Sequence, residues 1–279
     1  MNAETRPTGT QAIERSILLL KLLTTRGQFG WGLTDLARRA GLEKATVHRI
    51  LACLESERMV ERDIKEHRYF PGPMLVELGL SVTTYPHLLT EGRAAAARLA
   101  QRVKGVGFFY LRSGLEFVVA ARVEQSVNRG MLNEEGFRRP LLMSAGGVAM
   151  LIAMPRDERD VVIERNLREM AVMGVLRPER FLNTLERSLK LGYTANLEDV
   201  VPGINSFAKC VLDRAGTPLG AFAIAGDPST LPAEAGARFD ALLCHEAVDL
   251  GARAPRLSTG RASAALAEAK EEVRPARSR

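Results

Sequence analysis

The stretch Gln11–Pro73 limits this chain's fold more than any other part of the sequence. Gln11–Thr24 places Ile13, Ile17, Leu20 and Leu23 at helical spacing, and Arg26-Gly27-Gln28-Phe29-Gly30 interrupts the pattern. Leu33–Ala40 reads as a short second helix with Leu33, Leu36, Ala37 and Ala40 on one face. Gly41 suits a tight turn, because glycine tolerates positive φ. Glu43–Ser56 is a third helix with Val47, Ile50, Leu51 and Leu54 inward. Met59–Arg62 and Arg68–Phe70 read as short strands joined by the polar stretch Asp63–His67, and Pro71-Gly72-Pro73 closes the unit. This is the order a winged helix-turn-helix needs, with the second helix bracing a third that enters the DNA major groove.

The outward face of the third helix is centred on Ala45, Arg49 and Ala52, flanked by Thr46 and His48. Small residues there allow close approach to base edges. Arg49 can donate twice to a guanine edge or bind a phosphate. Lys44, Thr46 and His48 suit phosphate or base contacts, and Lys65, His67 and Arg68 lie near the hairpin tip. An ordinary helical hairpin with a solvated polar face would share the first part of this pattern. The basic-tipped hairpin that follows favours DNA.

Downstream, Met74–Ser81 reads as a linker helix and Leu88–Val103 as a long helix opening a second domain. Val106–Leu111, Glu116–Val123 and Val127–Leu132 read as strands, and Ser206–Leu212 with Leu219–Ala225 as a hairpin. Ser144–Met154, Asp157–Asn166, Pro178–Leu191 and Leu231–Arg253 read as helices. The expected fold class is α+β. The expected division is a DNA-binding domain over 9–73, a linker over 74–87, an effector and assembly domain over 88–253, and a disordered or loosely helical tail over 254–279. Trp31 is expected to pack between the first two helices and Cys53 to belong to the core, as are most of Met131, Met143, Met150 and Met154. His87 and His245 are expected to be capping or surface residues rather than ligands.

The net charge of +6 favours an anionic partner only weakly. From Arg253 onward seven Lys/Arg face three Asp/Glu, whereas Leu33–Phe70 holds eight against seven, so charge alone would not select the DNA-binding segment. Three scattered cysteines form no CxxC pair and offer no zinc spacing, which suits a reducing, cytoplasmic setting. The N-terminus is polar, and no run reaches the ~20 apolar residues of a membrane span. Neither a cofactor nor a metal is expected. Ser144 lies in no GxSxG elbow, Lys104-Gly105-Val106-Gly107 is no GxGxxG fingerprint, and Gly146-Gly147 lacks the lysine of a phosphate loop. Glu134-Glu135 and Glu198-Asp199 read as solvated loop charges rather than acid/base pairs.

Residues Gln11–Gly79 resemble the DNA-binding part of the isocitrate lyase regulator (IclR) family. The likeness is carried by Ala12-Ile13-Glu14-Arg15-Ser16, Leu33-Thr34-Asp35-Leu36-Ala37, Gly41-Leu42-Glu43-Lys44-Ala45-Thr46-Val47-His48-Arg49-Ile50-Leu51, Arg68-Tyr69-Phe70-Pro71-Gly72-Pro73 and Leu78-Gly79. The family often has serine where Ala45 stands. The resemblance implies a winged helix, a linker helix and a GAF-like C-terminal effector domain, assembled as a dimer or tetramer on a pseudo-palindromic site in duplex DNA.

The likeness runs on to about Arg253. Ser144-Ala145-Gly146-Gly147-Val148-Ala149 resembles the family segment that sets backbone N–H groups at an effector pocket; helix–sheet packing would favour the same small residues. Gly192–Asp213 resembles the family's signature region, through Gly192, Gly203, Ser206, Ala208, Val211 and Asp213. Asn196 replaces the usual acidic or serine residue, Asp199 the usual glutamate, and Lys209-Cys210 the usual small residues. Ala223 and Ala225 stand where some members have hydroxyls. The implied effector is a small organic acid with an apolar or aromatic body. Its expected contacts are Met131, Leu142, Met143, Ala145, Gly146, Asn196, Ser206, Ala223 and Ala225. An enzyme, or a structural protein binding DNA without sequence preference, are the alternatives to a ligand-controlled regulator.

Overall fold

The computed structural model describes residues 9–82, 85–124 and 134–254. They form two compact units, one up to Pro86 and one from His87.

The first unit contains α1 (Gln11–Leu23), β1 (Trp31–Gly32), α2 (Leu33–Ala40), α3 (Lys44–Ser56), β2 (Val60–Asp63), β3 (Arg68–Pro71) and α4 (Met74–Leu80). Gly41 closes α2 at φ 64°, and its N–H reaches the carbonyls of Ala37 and Arg38. α3 starts one residue later than its pattern suggested, because Glu43 is extended and acts as N-cap. The wing is a three-stranded antiparallel sheet in the order β1-β3-β2. The two residues of β1 are too few to show a period, so the sequence pattern gave no sign of them.

Leu19, Leu22, Leu23, Leu36, Val47, Leu51, Leu54, Val60 and Tyr69 form this unit's core. Trp31 joins them from the sheet, opposite Tyr69, with the Arg26 guanidinium 4.0 Å over its ring. Two expectations are corrected. Helix α1 carries two apolar stripes; the core uses Leu19, Leu22 and Leu23, while Ile13 and Ile17 are 60% and 47% exposed. Cys53 is exposed, because Leu51 and Leu54 already fill the buried face on either side of it.

The second unit contains α5 (Tyr85–Val103, its first residues lying before the division), β4 (Val106–Ser113), β5 (Glu116–Glu124), β6 (Arg138–Pro140), α6 (Ala145–Ile152), α7 (Arg156–Val172), α8 (Glu179–Leu191), β7 (Thr194–Leu197), β8 (Asn205–Leu212), β9 (Pro218–Gly226) and α9 (Gly236–Arg253). Its sheet is six-stranded and antiparallel, in the order β6-β5-β4-β9-β8-β7. This is the α/β second domain that the sequence led us to expect.

Alternation along the strands sorts side chains to two faces. On one face α5 and α9 cover Phe109, Phe207 and Phe222. Phe207 meets Phe239 of α9 at 5.0 Å between ring centroids, and a Cβ at Gly107 would collide with the Ala96 carbonyl of α5. On the other face Val106, Phe108, Tyr110, Ala208, Ala221, Ala223 and Ala225 pack with Val148, Ala149 and Met150 of α6, and with residues of α7 and α8. The alanines of β8 and β9 leave room there for a helix to lie close.

The expected strand Val127–Leu132 lies outside the described residues, as does all but Ala254 of the expected tail. Helix α7 runs past Asn166 to Val172. Helix α9 starts at Gly236 rather than Leu231, because Leu231 precedes Pro232, which disfavours helical backbone at the leucine.

Candidate functional site

On α3, Lys44, Ala45, His48, Arg49, Ala52 and Cys53 are exposed and Thr46 is half-buried, while Val47 and Leu51 face the core. Lys44, His48 and Arg49 have no hydrogen-bond or ionic partner among the described residues, so the face presents two unpaired cations around small residues. At the wing tip the Asp63 carboxylate accepts the backbone N–H groups of Lys65 and Glu66, at 2.8 and 2.9 Å, which holds the turn and leaves the Lys65 side chain exposed. Arg68 is placed differently. Its Nη1 donates to the Phe29 carbonyl at 2.8 Å, tying β3 to the turn before β1. That bond joins residues far apart in sequence and leaves no trace in the local pattern.

In the second unit, Ser144 is the N-cap of α6, and its Oγ accepts the Gly147 N–H at 2.9 Å. The N–H groups of Ala145 and Gly146, the first two of the helix, have no carbonyl within it to bond. The glycines themselves serve packing: a Cβ at Gly146 would strike the Tyr110 ring, and one at Gly147 the Leu141 carbonyl. Leu142 is buried and Met143 half-buried in the segment entering α6. Buried Asn166 fixes that segment, accepting the Leu142 N–H at 2.9 Å and donating to the Leu115 carbonyl at 3.0 Å. Met150 and Met154 are core, and His87 and His245 are exposed, as expected. Met131 lies outside the described residues.

The strand register brings Asn196, Ser206 and Ala225 into one row across β7, β8 and β9, with Ala223 in the next row. Asn196 Nδ2 donates to Ser206 Oγ at 3.2 Å. Asn196 Oδ1 accepts the Val200 N–H at 3.3 Å and the Thr184 hydroxyl at 3.4 Å. A backbone N–H needs an acceptor, so Val200 fixes which way the amide points. One Asn196 N–H and the Ser206 hydroxyl proton remain as donors.

Thr184 also meets Asp199 at 3.0 Å, and Arg187 forms an ion pair with the same carboxylate. Burial would raise the Asp199 carboxyl, but the hydrogen bonds from Arg187 and Thr184 and the Arg187 charge outweigh it and hold it below its ordinary value. Asp199 is therefore a half-buried structural anion, which corrects the expectation of a solvated loop charge. Glu198 accepts the Gly203 N–H at 2.9 Å.

A cavity of about 270 Å³ on this face lies at the other end of α6, lined in part by Ala149, Ile152, Ser188, Tyr193, Ala208 and Cys210. Burial pushes the Cys210 thiol up to about 12, so it is a neutral apolar lining group rather than a nucleophile. Among the described residues no group of three His, Cys, Asp or Glu could hold a metal, and no helix is long and apolar enough to cross a membrane.

Residues 12–63 match the IclR helix-turn-helix domain, and residues 81–252 the bacterial transcriptional regulator IclR C-terminal domain. The chain belongs to the IclR family. The glycerol operon regulatory protein of Streptomyces coelicolor is 31% identical over 77% of this chain and 84% of its own length. The HTH-type transcriptional repressor AllR of Escherichia coli K12 is 25% identical over 80% of this chain and 82% of its own. Among solved structures, an IclR-family regulator from Brucella abortus shares the fold at TM-score 0.72 and 21% identity, covering 91% of this chain and 97% of that one. An IclR homologue from Microbacterium hydrocarbonoxydans, complexed with 4-hydroxybenzoate, does so at TM-score 0.61 and 19% identity, over 86% and 98% of the two chains.

This IclR-family member is accordingly a DNA-binding transcriptional regulator. Sequence reasoning had selected the exposed face of α3 and the Asn196–Ser206 pair. It missed Thr184 and Asn166, buried polar residues on helices α8 and α7. A polar residue at an inward helical position is the signal that could have found them.

Proposed function

We propose that the protein is an effector-controlled regulator that reads its operator with α3 and the wing and senses a small organic acid in its second unit. In this reading Arg49 contacts base edges or phosphate in the major groove, with Lys44, Ala45, Thr46 and His48 around it, while Lys65 and Arg68 belong to the wing. The carrying observation is the unpaired, fully presented Arg49 among small exposed residues on a helix whose other face is locked into the core. Segments 9–73, 74–87 and 88–253 divide the work into DNA binding, linkage, and effector binding with assembly.

For the effector, the free N–H groups of Ala145 and Gly146 meet a carboxylate at the positive end of α6. Asn196 and Ser206 add donors, and Leu142, Met143, Ala223 and Ala225 supply apolar surface. A neutral Asn196 imposes no repulsion on an anion. The 4-hydroxybenzoate complex of the Microbacterium protein, which has the same fold, supports an acid of this kind.

The test is DNA binding by the full chain, comparing upstream intergenic with random DNA, with and without a panel of aliphatic and aromatic acids. We expect a preference for the intergenic sequence and a change of about 5- to 150-fold in affinity on adding one acid. Equal affinity for both DNAs would remove the operator reading. Indifference to every acid would remove the effector.

A further inference from the structure

The sheet face opposite the proposed acid site is covered by α5 and α9, which run antiparallel with their charges in register. Arg253 Nη1 meets Glu91 Oε2 at 2.9 Å, and Arg98 Nη2 meets Glu246 Oε2 at 2.6 Å. From one pair to the next the contact moves seven residues up α5 and seven down α9, about two helical turns. One further turn sets Arg102 opposite Leu242, and one more turn of α9, about 5.4 Å, reaches Arg238. There the pairing stops. Each of the first two contacts joins a cation to an acid, whereas this end of the groove has two cations.

A cavity of about 310 Å³ opens at that end, lined by Arg102, Val103, Arg238, Phe239 and Leu242. Val103 and Phe239 are buried and Leu242 is half-buried, so they form an apolar floor, while both arginines are exposed. Neither arginine has a hydrogen-bond or ionic partner among the described residues. The acids nearest Arg238 in sequence do not answer it. Asp240 is bound by Lys209 at 2.9 Å, and Glu234 makes no pair with it. Arg102 lies in the last turn of α5, where a cation suits the helix dipole. Arg238 lies in the first turn of α9, where a cation does not, and that turn has neither an acidic residue nor a side-chain cap.

We propose that this cavity is a second ligand site, separate from the acid site, and that it takes an organic phosphate monoester with a small apolar body. A phosphate carries a charge of about −1.5 to −2 at pH 7 and three acceptor oxygens. Two guanidinium forks can share it, whereas one carboxylate satisfies one fork. Phe239 and Leu242 take the apolar body. The phosphate supplies the anion that Glu91 and Glu246 supply at the two earlier contacts.

The experiment is calorimetry on the full chain with phenyl phosphate, inorganic phosphate and phenol. Phenyl phosphate should bind the wild type, with inorganic phosphate and phenol each at least tenfold weaker. Arg102→Gln and Arg238→Gln, changes at exposed positions, should each weaken phenyl phosphate tenfold or more. Lys104→Gln removes the same charge beside the cavity without altering its lining, and should cost about threefold at most. 4-Hydroxybenzoate should not displace phenyl phosphate. Failure of phenyl phosphate to bind the wild type would overturn the site. So would unchanged affinity in both arginine variants, a loss in Lys104→Gln as large as theirs, or equal affinity for phenyl phosphate and inorganic phosphate. Displacement by 4-hydroxybenzoate would overturn it as well, by putting the phosphate in the acid site. The acid reading fails separately, through a DNA affinity indifferent to every acid.

Discussion

Arg49 and Lys65 are both exposed cations, and the proposed function gives them different work. Arg49 sits among alanines on a rigid helix, so it can reach base edges; Lys65 sits on a turn beside Asp63, suited to a phosphate. Arg49→Ala should cost ~1–3 kcal/mol of operator affinity and relax specificity. Lys65→Ala should weaken all sequences alike and lower the salt dependence by about one phosphate contact. Anisotropy titrations at several salt concentrations separate the two; equal losses on operator and random DNA for Arg49→Ala would remove it from base reading. Asp199 acts through pH. Its carboxyl is held below the ordinary 3.8 in the folded state, so the charged form stabilises the fold above that value. This contribution is lost as the pH falls from about 3.8 through the folded-state value. Thermal unfolding of the wild type should therefore worsen more steeply with acid than that of Asp199→Asn. Parallel acid profiles would show that the Arg187 and Thr184 contacts add no net stability.

At the scale of elements, α6 is positioned by small residues and by polar groups from elsewhere in the chain. Gly147 allows the helix to sit on the Leu141 backbone, so Gly147→Ala must push the helix away and should cost ~1–3 kcal/mol in denaturant melts. A loss near zero would mean the helix has slack. Helices α5 and α9 are joined by Arg98, whose Nε and Nη2 reach the two Glu246 oxygens at 3.0 and 2.6 Å. The pair is asymmetric: the Arg98 side chain is 47% exposed and that of Glu246 only 6%. Removing Glu246 leaves an arginine that can turn to water, whereas removing Arg98 strands a buried carboxylate. Arg98→Met should therefore destabilise more than Glu246→Gln, by a few kcal/mol, in paired melts. The reverse order would contradict this account.

At the scale of the whole molecule, the first unit exposes more apolar surface than its own core needs. Ile13 and Ile17 of α1 and Val76 and Leu80 of α4 are all exposed, Leu80 at 80%. A single winged helix contacts too few base pairs for useful selectivity, so these residues are argued to pair two copies on a pseudo-palindromic operator. Light scattering should show at least a dimer, and Ile17→Glu combined with Leu80→Glu should lower the mass while each unit keeps its circular dichroism. A wild-type monomer, both free and on DNA, would end this argument.

The helix-turn-helix was readable from sequence because its determinants are local. Apolar spacing in α3, a glycine at the αL position after α2, and the polar turn Asp63–His67 each act within a few residues. The Asn196–Ser206 pair was also legible, through the family pattern. What the sequence did not disclose were choices among equally apolar or polar residues. Leu19 rather than Ile17 enters the core, Cys53 faces out, and the two-residue β1 completes the wing. Asp199, Thr184 and Asn166 become buried partners of groups brought near them by chain reversal. Periodicity tells which face of one helix or strand is apolar. Which of two apolar stripes is buried, and which polar side chain meets an unpaired N–H, depends on what packs opposite, and only the tertiary structure decides that.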